Sequence, residues 1–202
     1  RLINALKVLG HHGFSEISTQ TIRLIKDGKE FKMSKRKGNY ILLSDFLDTV
    51  PTEAARFYFA MRDTNTHMDF DIDLVKDHSA KNPVYYSLYD YARACSIEAK
   101  AKEQGISNAT EFKSYDLSPQ EKKLIIEISK VPLVLAEIVE NQKVHQLLHQ
   151  TFELAKAFQE YYESERVLTS LNASQKLKII AHFKLAYESI FAILGVSLLE
   201  RM

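Results

Sequence analysis

Residues 82–105 read NPVYYSLYDYARACSIEAKAKEQG, and the residues at either end of this stretch predict one long helix. Asn82 is a good N-cap, and Pro83 fits the first helical position, where its missing N–H is not needed. Gly105 can take the left-handed conformation that ends a helix. The same signals recur downstream. SPQEKKLIIEISKVP (118–132) opens with Ser118, Pro119 and Glu121, a capping box with proline in first position. Its apolar face is Leu124, Ile125, Ile128 and Val131, and Pro132 is expected to break or kink the run before LVLAEIVENQ continues it. Residues 143–168 carry Leu148, Phe152, Ala155, Phe158 and Tyr162 at helical spacing. Residues 172–197 carry Leu177, Ile180, Phe183, Ala186, Ile190 and Leu194, with Gly195 as the stop. Several long amphipathic helices with short links predict a mainly α fold, a helical bundle.

The part before the bundle is mixed. LINALKVL (2–9) has helical spacing and Gly10 stops it. Ile22, Leu24 and Phe31 flank Asp27-Gly28, a strong hairpin turn signal. NYILL (39–43) reads as a short strand. Ser44 is expected to cap the turn that follows, and Thr52 to cap the apolar helix EAARFYFAMRD. In HMDFDIDL, Asp69, Asp71 and Asp73 alternate with Phe70, Ile72 and Leu74, the period of an extended segment with one wet face.

The chain has 202 residues and a formal net charge of +1. That is ample for a core, and any nucleic-acid binding must come from local rather than global charge. The single Cys95 excludes an internal disulfide and a multi-cysteine zinc site, which fits a reducing compartment. No apolar run is long enough to span a bilayer as a helix.

Three leads fail on chemistry. Asp69, Asp71 and Asp73 imitate the start of a calcium loop, but Leu74 and Ala80 stand where that loop needs Gly and Glu. His145 and His149 have the spacing of a zinc pair, yet Gln146 replaces the glutamate a metalloprotease requires. His11-His12-Gly13 has neither a preceding strand nor a clear helix start after it.

EFKMSKRKGN (30–39) concentrates Lys32, Lys35, Arg36 and Lys37 before Gly38. Such a run is either a solvated loop or a mobile loop that grips phosphate. Lys32-Met33-Ser34-Lys35 resembles the lysine signature loop of class I aminoacyl-tRNA synthetases. Its flanks, KMSKRKGNYILLSDFLDTVPTEAARFYFAMRDTNTHMDFDIDL (32–74), resemble arginyl-tRNA synthetases throughout. Residues 82–101 are similar to the first helix of that family's anticodon-binding domain. Residues 152–168 and the terminal GVSLLERM are similar to its later helices and its Arg-Met end. The resemblance is weakest over residues 103–145. Cysteinyl enzymes share the loop and a related helical domain, but not the Asp-Phe-Asp segment together with the Arg-Met end.

The resemblance implies an arginine–tRNA ligase. Residues 1–78 would be the C-terminal tail, α/β in character, of a class I Rossmann-type catalytic domain with a stem-contact segment. Residues 79–202 would be the α-helical anticodon-binding domain. Catalytic roles would fall to Lys32, Ser34 and Lys35, with Met33 completing the ATP contact. ATP is implied as a substrate, with Mg2+ accompanying it, and no protein-bound metal. Arginine tRNA is the implied partner, met by Arg36, Tyr85, Tyr89, Arg93, Tyr161, Tyr162 and Met202. The family's His-x-Gly-His element is not readable, so the chain is expected to be a C-terminal part that is inactive by itself. A cytoplasmic monomer is expected. A tRNA-binding module without chemistry and a helical interaction protein with a merely wet lysine loop remain the alternatives.

Overall fold

The computed structural model describes residues 2–13, 15–31, 42–77, 82–113 and 115–201. The whole lysine loop and Met202 lie outside them, as do Asn39, Tyr40 and Ile41 of the expected short strand. Among the described residues there are eight helices and one small sheet.

The N-terminal part begins with α1 (Leu2–Val8), which buries no residue. β1 (Ile22–Lys26) and β2 (Lys29–Glu30) form the expected hairpin. Asp27 and Gly28 both take positive φ, 51° and 69°, as a two-residue turn of this hand requires. β3 (Met68–Asp71) joins β1 in parallel, so the order is β2-β1-β3. Arg23 and Asp69 clasp each other across that pair at 2.6 and 2.9 Å. The connection between β1 and β3 carries α2 (Leu43–Thr49) and α3 (Thr52–Ala60). Phe70, with no exposure, is surrounded by Phe46, Tyr58 and Phe59 at centroid distances of 5.1 to 5.7 Å. This aromatic cluster is the small core beneath the sheet.

Four local expectations are corrected. Leu42, not Ser44, is the N-cap of α2, so Leu43 is helical rather than extended. Ser44 donates to Asp45 instead of capping. Pro51, not Thr52, precedes α3, its fixed φ of −54° with ψ of 130° leading into the helix. The Asp69–Leu74 alternation ends early: Asp71 turns inward as a cap, accepting from the backbone N–H groups of Asp73 and Leu74, and starts α4 (Ile72–Lys76). Finally, α6 continues through Pro132, an exposed position, so the run is not broken there.

The bundle consists of α5 (Pro83–Glu103), α6 (Pro119–Asn141), α7 (His145–Ser164) and α8 (Ala173–Leu194). Three of its caps are those the sequence announces. Asn82 accepts from the N–H of Val84, Ser118 and Glu121 form the capping box, and Gly195 ends α8 at φ 64°. α6 and α7 form a helical hairpin closed by Gln142 in the left-handed conformation. Phe158 of α7 stacks on Phe183 of α8 at 4.1 Å, and Tyr187 on Phe191 at 5.4 Å. Phe57 of α3 reaches into the same layer, 6.1 Å from Phe152 and 6.0 Å from Phe191. The core is therefore continuous from the sheet side into the bundle. Asn82 joins the two parts as well: its amide donates to the carbonyls of Val75 and Asp77, and its oxygen accepts from Tyr58.

Candidate nucleic-acid interface

α5 and α7 lie against each other, and their exposed edges carry aromatic residues. Tyr89 and Arg93 are four apart on α5, so they occupy one face. Tyr162, near the end of α7, stands opposite. The Arg93 guanidinium carbon lies 4.6 Å from the Tyr89 ring centroid and 4.3 Å from that of Tyr162. Both rings remain partly open, 43% and 40% exposed. A cation held between two rings is attracted by both quadrupoles and keeps its N–H edges free for a ligand.

The stack forms one wall of a cleft of about 590 Å³, which Lys100, Glu165 and Arg201 also line. Three cations and one carboxylate therefore face the same space. Glu165 is paired with Lys176, which holds its carboxyl below the usual range. Under the stack, Asp90 is buried, with one carboxylate oxygen lacking a hydrogen-bond partner. Desolvation pushes its pKa up to about 7, against the opposing attraction of Arg93. The neighbouring Tyr86 hydroxyl donates to Gln159.

Of the residues singled out in the sequence, the structure brings together Tyr89, Arg93 and Tyr162. Tyr85 is half-buried on α5 and does not line the cleft. Tyr161 is corrected: it has no exposure and cannot stack on a base from solvent. It belongs to the core, and its hydroxyl has no partner. Lys32, Met33, Ser34, Lys35, Arg36 and Met202 lie outside the described residues. Lys100 was readable, seven residues after Arg93 and so on the same helical face. Arg201 was not, because only the chain's return after Gly195 brings it to the cleft.

His145 does not form a metal pair with His149; its Nδ1 lies 3.7 Å from Asp63. Among the described residues no cluster of metal-ligating side chains occurs, and no helix is long and apolar enough to cross a membrane.

Comparison with known proteins bears on this cleft. Residues 87–202 match the family described as DALR anticodon binding domain. Residues 1–73 match tRNA synthetases class I (I, L, M and V). The chain is similar to the arginine–tRNA ligase of Symbiobacterium thermophilum, 37% identical over 209 residues, covering 100% of this chain and 38% of the relative. The ligase of Bacillus subtilis is 34% identical over 208 residues, covering 100% and 37%. The chain thus spans less than two-fifths of the length of these relatives. An arginyl-tRNA synthetase structure from Campylobacter jejuni superposes with a TM-score of 0.78 at 28% identity, over 91% of this chain and 40% of that one. The Thermus thermophilus arginyl-tRNA synthetase shares the fold, with a TM-score of 0.62 at 20% identity over 83% and 29%. With more than half of its residues matched to that one domain, and with a class I synthetase segment in front of it, the chain belongs to the DALR anticodon-binding family.

Proposed function

We propose that this chain is the lysine-loop and anticodon-binding portion of an arginine–tRNA ligase, which joins arginine to its tRNA at the expense of ATP. The observation that carries the reading is the Tyr89–Arg93–Tyr162 stack on a cleft that also presents Lys100 and Arg201. Open rings accept unpaired bases, a planar guanidinium stacks or grips phosphate, and flanking cations follow the backbone. Unpaired bases are what an anticodon loop offers.

The proposed division places the catalytic tail in residues 1–78 and the anticodon-binding domain in residues 79–202. In the complete enzyme, Lys32, Ser34 and Lys35 would meet the phosphates of ATP, with Met33 packing beside them and Mg2+ accompanying the nucleotide. When the arginine carboxylate attacks the α-phosphate, charge builds on the departing pyrophosphate. Ammonium groups placed there stabilise the transition state more than the ground state. Arg36, Tyr85 and Met202 are retained as further tRNA contacts. The enzyme is proposed to act as a cytoplasmic monomer.

A filter-binding titration of the 202-residue protein with arginine tRNA and with an anticodon-swapped variant tests the reading. The expected result is tighter binding of the arginine tRNA, with affinity falling as salt rises. If Arg93, Lys100 and Arg201 each neutralise one phosphate, the logarithmic salt slope is about −2 for single-stranded RNA. Equal affinity for both RNAs would remove the anticodon-reading claim.

A further inference from the structure

Lys176 does not line the cleft, yet one of its partners does. It is 7% exposed and lies on the first turn of α8. Its ammonium pairs with Glu165 at the end of α7 and lies 3.4 Å from Glu121 of α6. Glu121 is otherwise satisfied: it accepts from the Tyr115 hydroxyl at 2.6 Å and from the Ser118 N–H at 2.8 Å. Its charge already has good donors. Glu165 depends on Lys176 first and on the Ser118 hydroxyl second.

The placement is unusual for a stabilising device. Burying an ammonium is expensive, and a buried ion pair is often no more stable than an apolar substitute. Glu165, however, is three residues from Tyr162 and faces the same cleft as Arg93, Lys100 and Arg201. An unscreened carboxylate at that position would repel every phosphate that the three cations attract. A partner on the cleft side would cover the surface that RNA must reach. Lys176 approaches Glu165 from within the bundle and leaves the cleft face open.

We infer that Lys176 is a positioning residue for polyanion binding, one that neutralises Glu165 from the protein interior so that the positive charge of Arg93, Lys100 and Arg201 meets RNA undiminished. This rests on the nucleic-acid reading of the cleft. The pair ties the end of α7, on which Tyr162 stands, to the first turn of α8, and it cancels the Glu165 charge that would face an anionic ligand. Discrimination between RNAs is left to the stacked rings, and Lys176 acts on affinity alone.

The test uses the 202-residue protein and a fluorescent hairpin carrying the anticodon stem and loop of an arginine tRNA. Lys176→Met is expected to weaken binding about tenfold, the effect of roughly 1.4 kcal/mol of repulsion. The double variant Lys176→Met/Glu165→Gln is expected to recover most of that loss, and Lys176→Arg to retain wild-type affinity. Circular dichroism identifies the folded variants. If the folded double variant binds as weakly as Lys176→Met, Lys176 serves the fold only and the inference is overturned. Should Lys176→Met not fold, NMR titration of the Glu165 carboxyl in the wild-type protein decides instead. A value below the ordinary glutamate range supports the interior pairing, and an ordinary or raised value overturns it. If that carboxyl titrates low while the wild-type protein fails to bind the hairpin, the ion pair stands and the nucleic-acid reading of the cleft falls.

Discussion

Arg56 occupies the space that a side chain at Gly195 would need. Its Nε donates to the Leu194 carbonyl at 2.9 Å, and a Cβ built at Gly195 would lie 2.8 Å from a guanidinium nitrogen. Arg56 is on α3, 138 residues before its partner, so the contact fastens the α/β part to the last turn of the bundle. The left-handed φ of 64° favours glycine locally, and the guanidinium adds a second, tertiary requirement.

Gly195→Ala therefore combines strain with displacement. A left-handed residue bearing a Cβ costs roughly 1–2 kcal/mol, and the Arg56 hydrogen bond is disturbed in addition. Urea denaturation is expected to show a loss of about 2 kcal/mol. Arg56→Ala should lower stability without the strain, so an unchanged midpoint in either variant contradicts the clasp.

The adjacent tyrosines at 161 and 162 should behave oppositely. Tyr162→Ala is expected to weaken RNA binding by about 1–3 kcal/mol with little effect on melting, because a half-open ring is lost from the stack. Tyr161→Ala is expected to destabilise the bundle by roughly 3–5 kcal/mol, since it leaves a cavity in the core. Tyr161→Phe should not destabilise, because the hydroxyl it removes has no partner. A fall in melting temperature on Tyr161→Phe would show that the hydroxyl is bonded after all.

Asp90 imposes a pH dependence with a definite sign. Its folded-state pKa is raised to about 7 by burial, above the unfolded value of about 3.9. Below both values the carboxyl is protonated in either state and costs nothing. Between them the unfolded chain releases its proton first, so stability falls as pH rises; above about 7 the full cost is present. Asp90→Asn is expected to melt higher than wild type near pH ~8, with the difference vanishing near pH ~4. Thermal melts across that range check it, and a variant that melts lower at the alkaline end would mean that Arg93 more than offsets desolvation.

In the complete enzyme, Lys35→Ala should lower amino-acid activation about 100-fold with little change in arginine affinity. That is the usual size of a lost charge contact at a developing anion. Stopped-flow measurement of the activation step decides it, and an unchanged rate would detach the lysine loop from the chemistry.

Helix ends were most legible where one side chain and the adjacent backbone settle the matter together. Asn82 before Pro83, Ser118 three residues before Glu121, and Gly195 after an apolar run all form the caps their residue types suggest. Ser44 and Thr52 were misread because a hydroxyl near a helix start does not have to be the cap; the backbone at Leu42 and Pro51 turned extended first. The alternating Asp69–Leu74 run holds as a strand only to Asp71, because Asp71 had a better use, bonding two N–H groups of the turn that follows it.

The sequence by itself determined the bundle, the hairpin turn at Asp27-Gly28 and the resemblance carried by residues 32–74, because spacing, caps and motifs are properties of neighbouring residues. It also placed Tyr89 and Arg93 on one helical face. Only the tertiary structure decided between Tyr161 and Tyr162. Successive helical residues point about 100° apart, and it is the packing of α7 against its neighbours that buries the first and opens the second. The meeting of Arg93 with Tyr162, the arrival of Arg201 and the covering of Glu165 by Lys176 likewise depend on how α5, α7 and α8 pack, which no local pattern encodes.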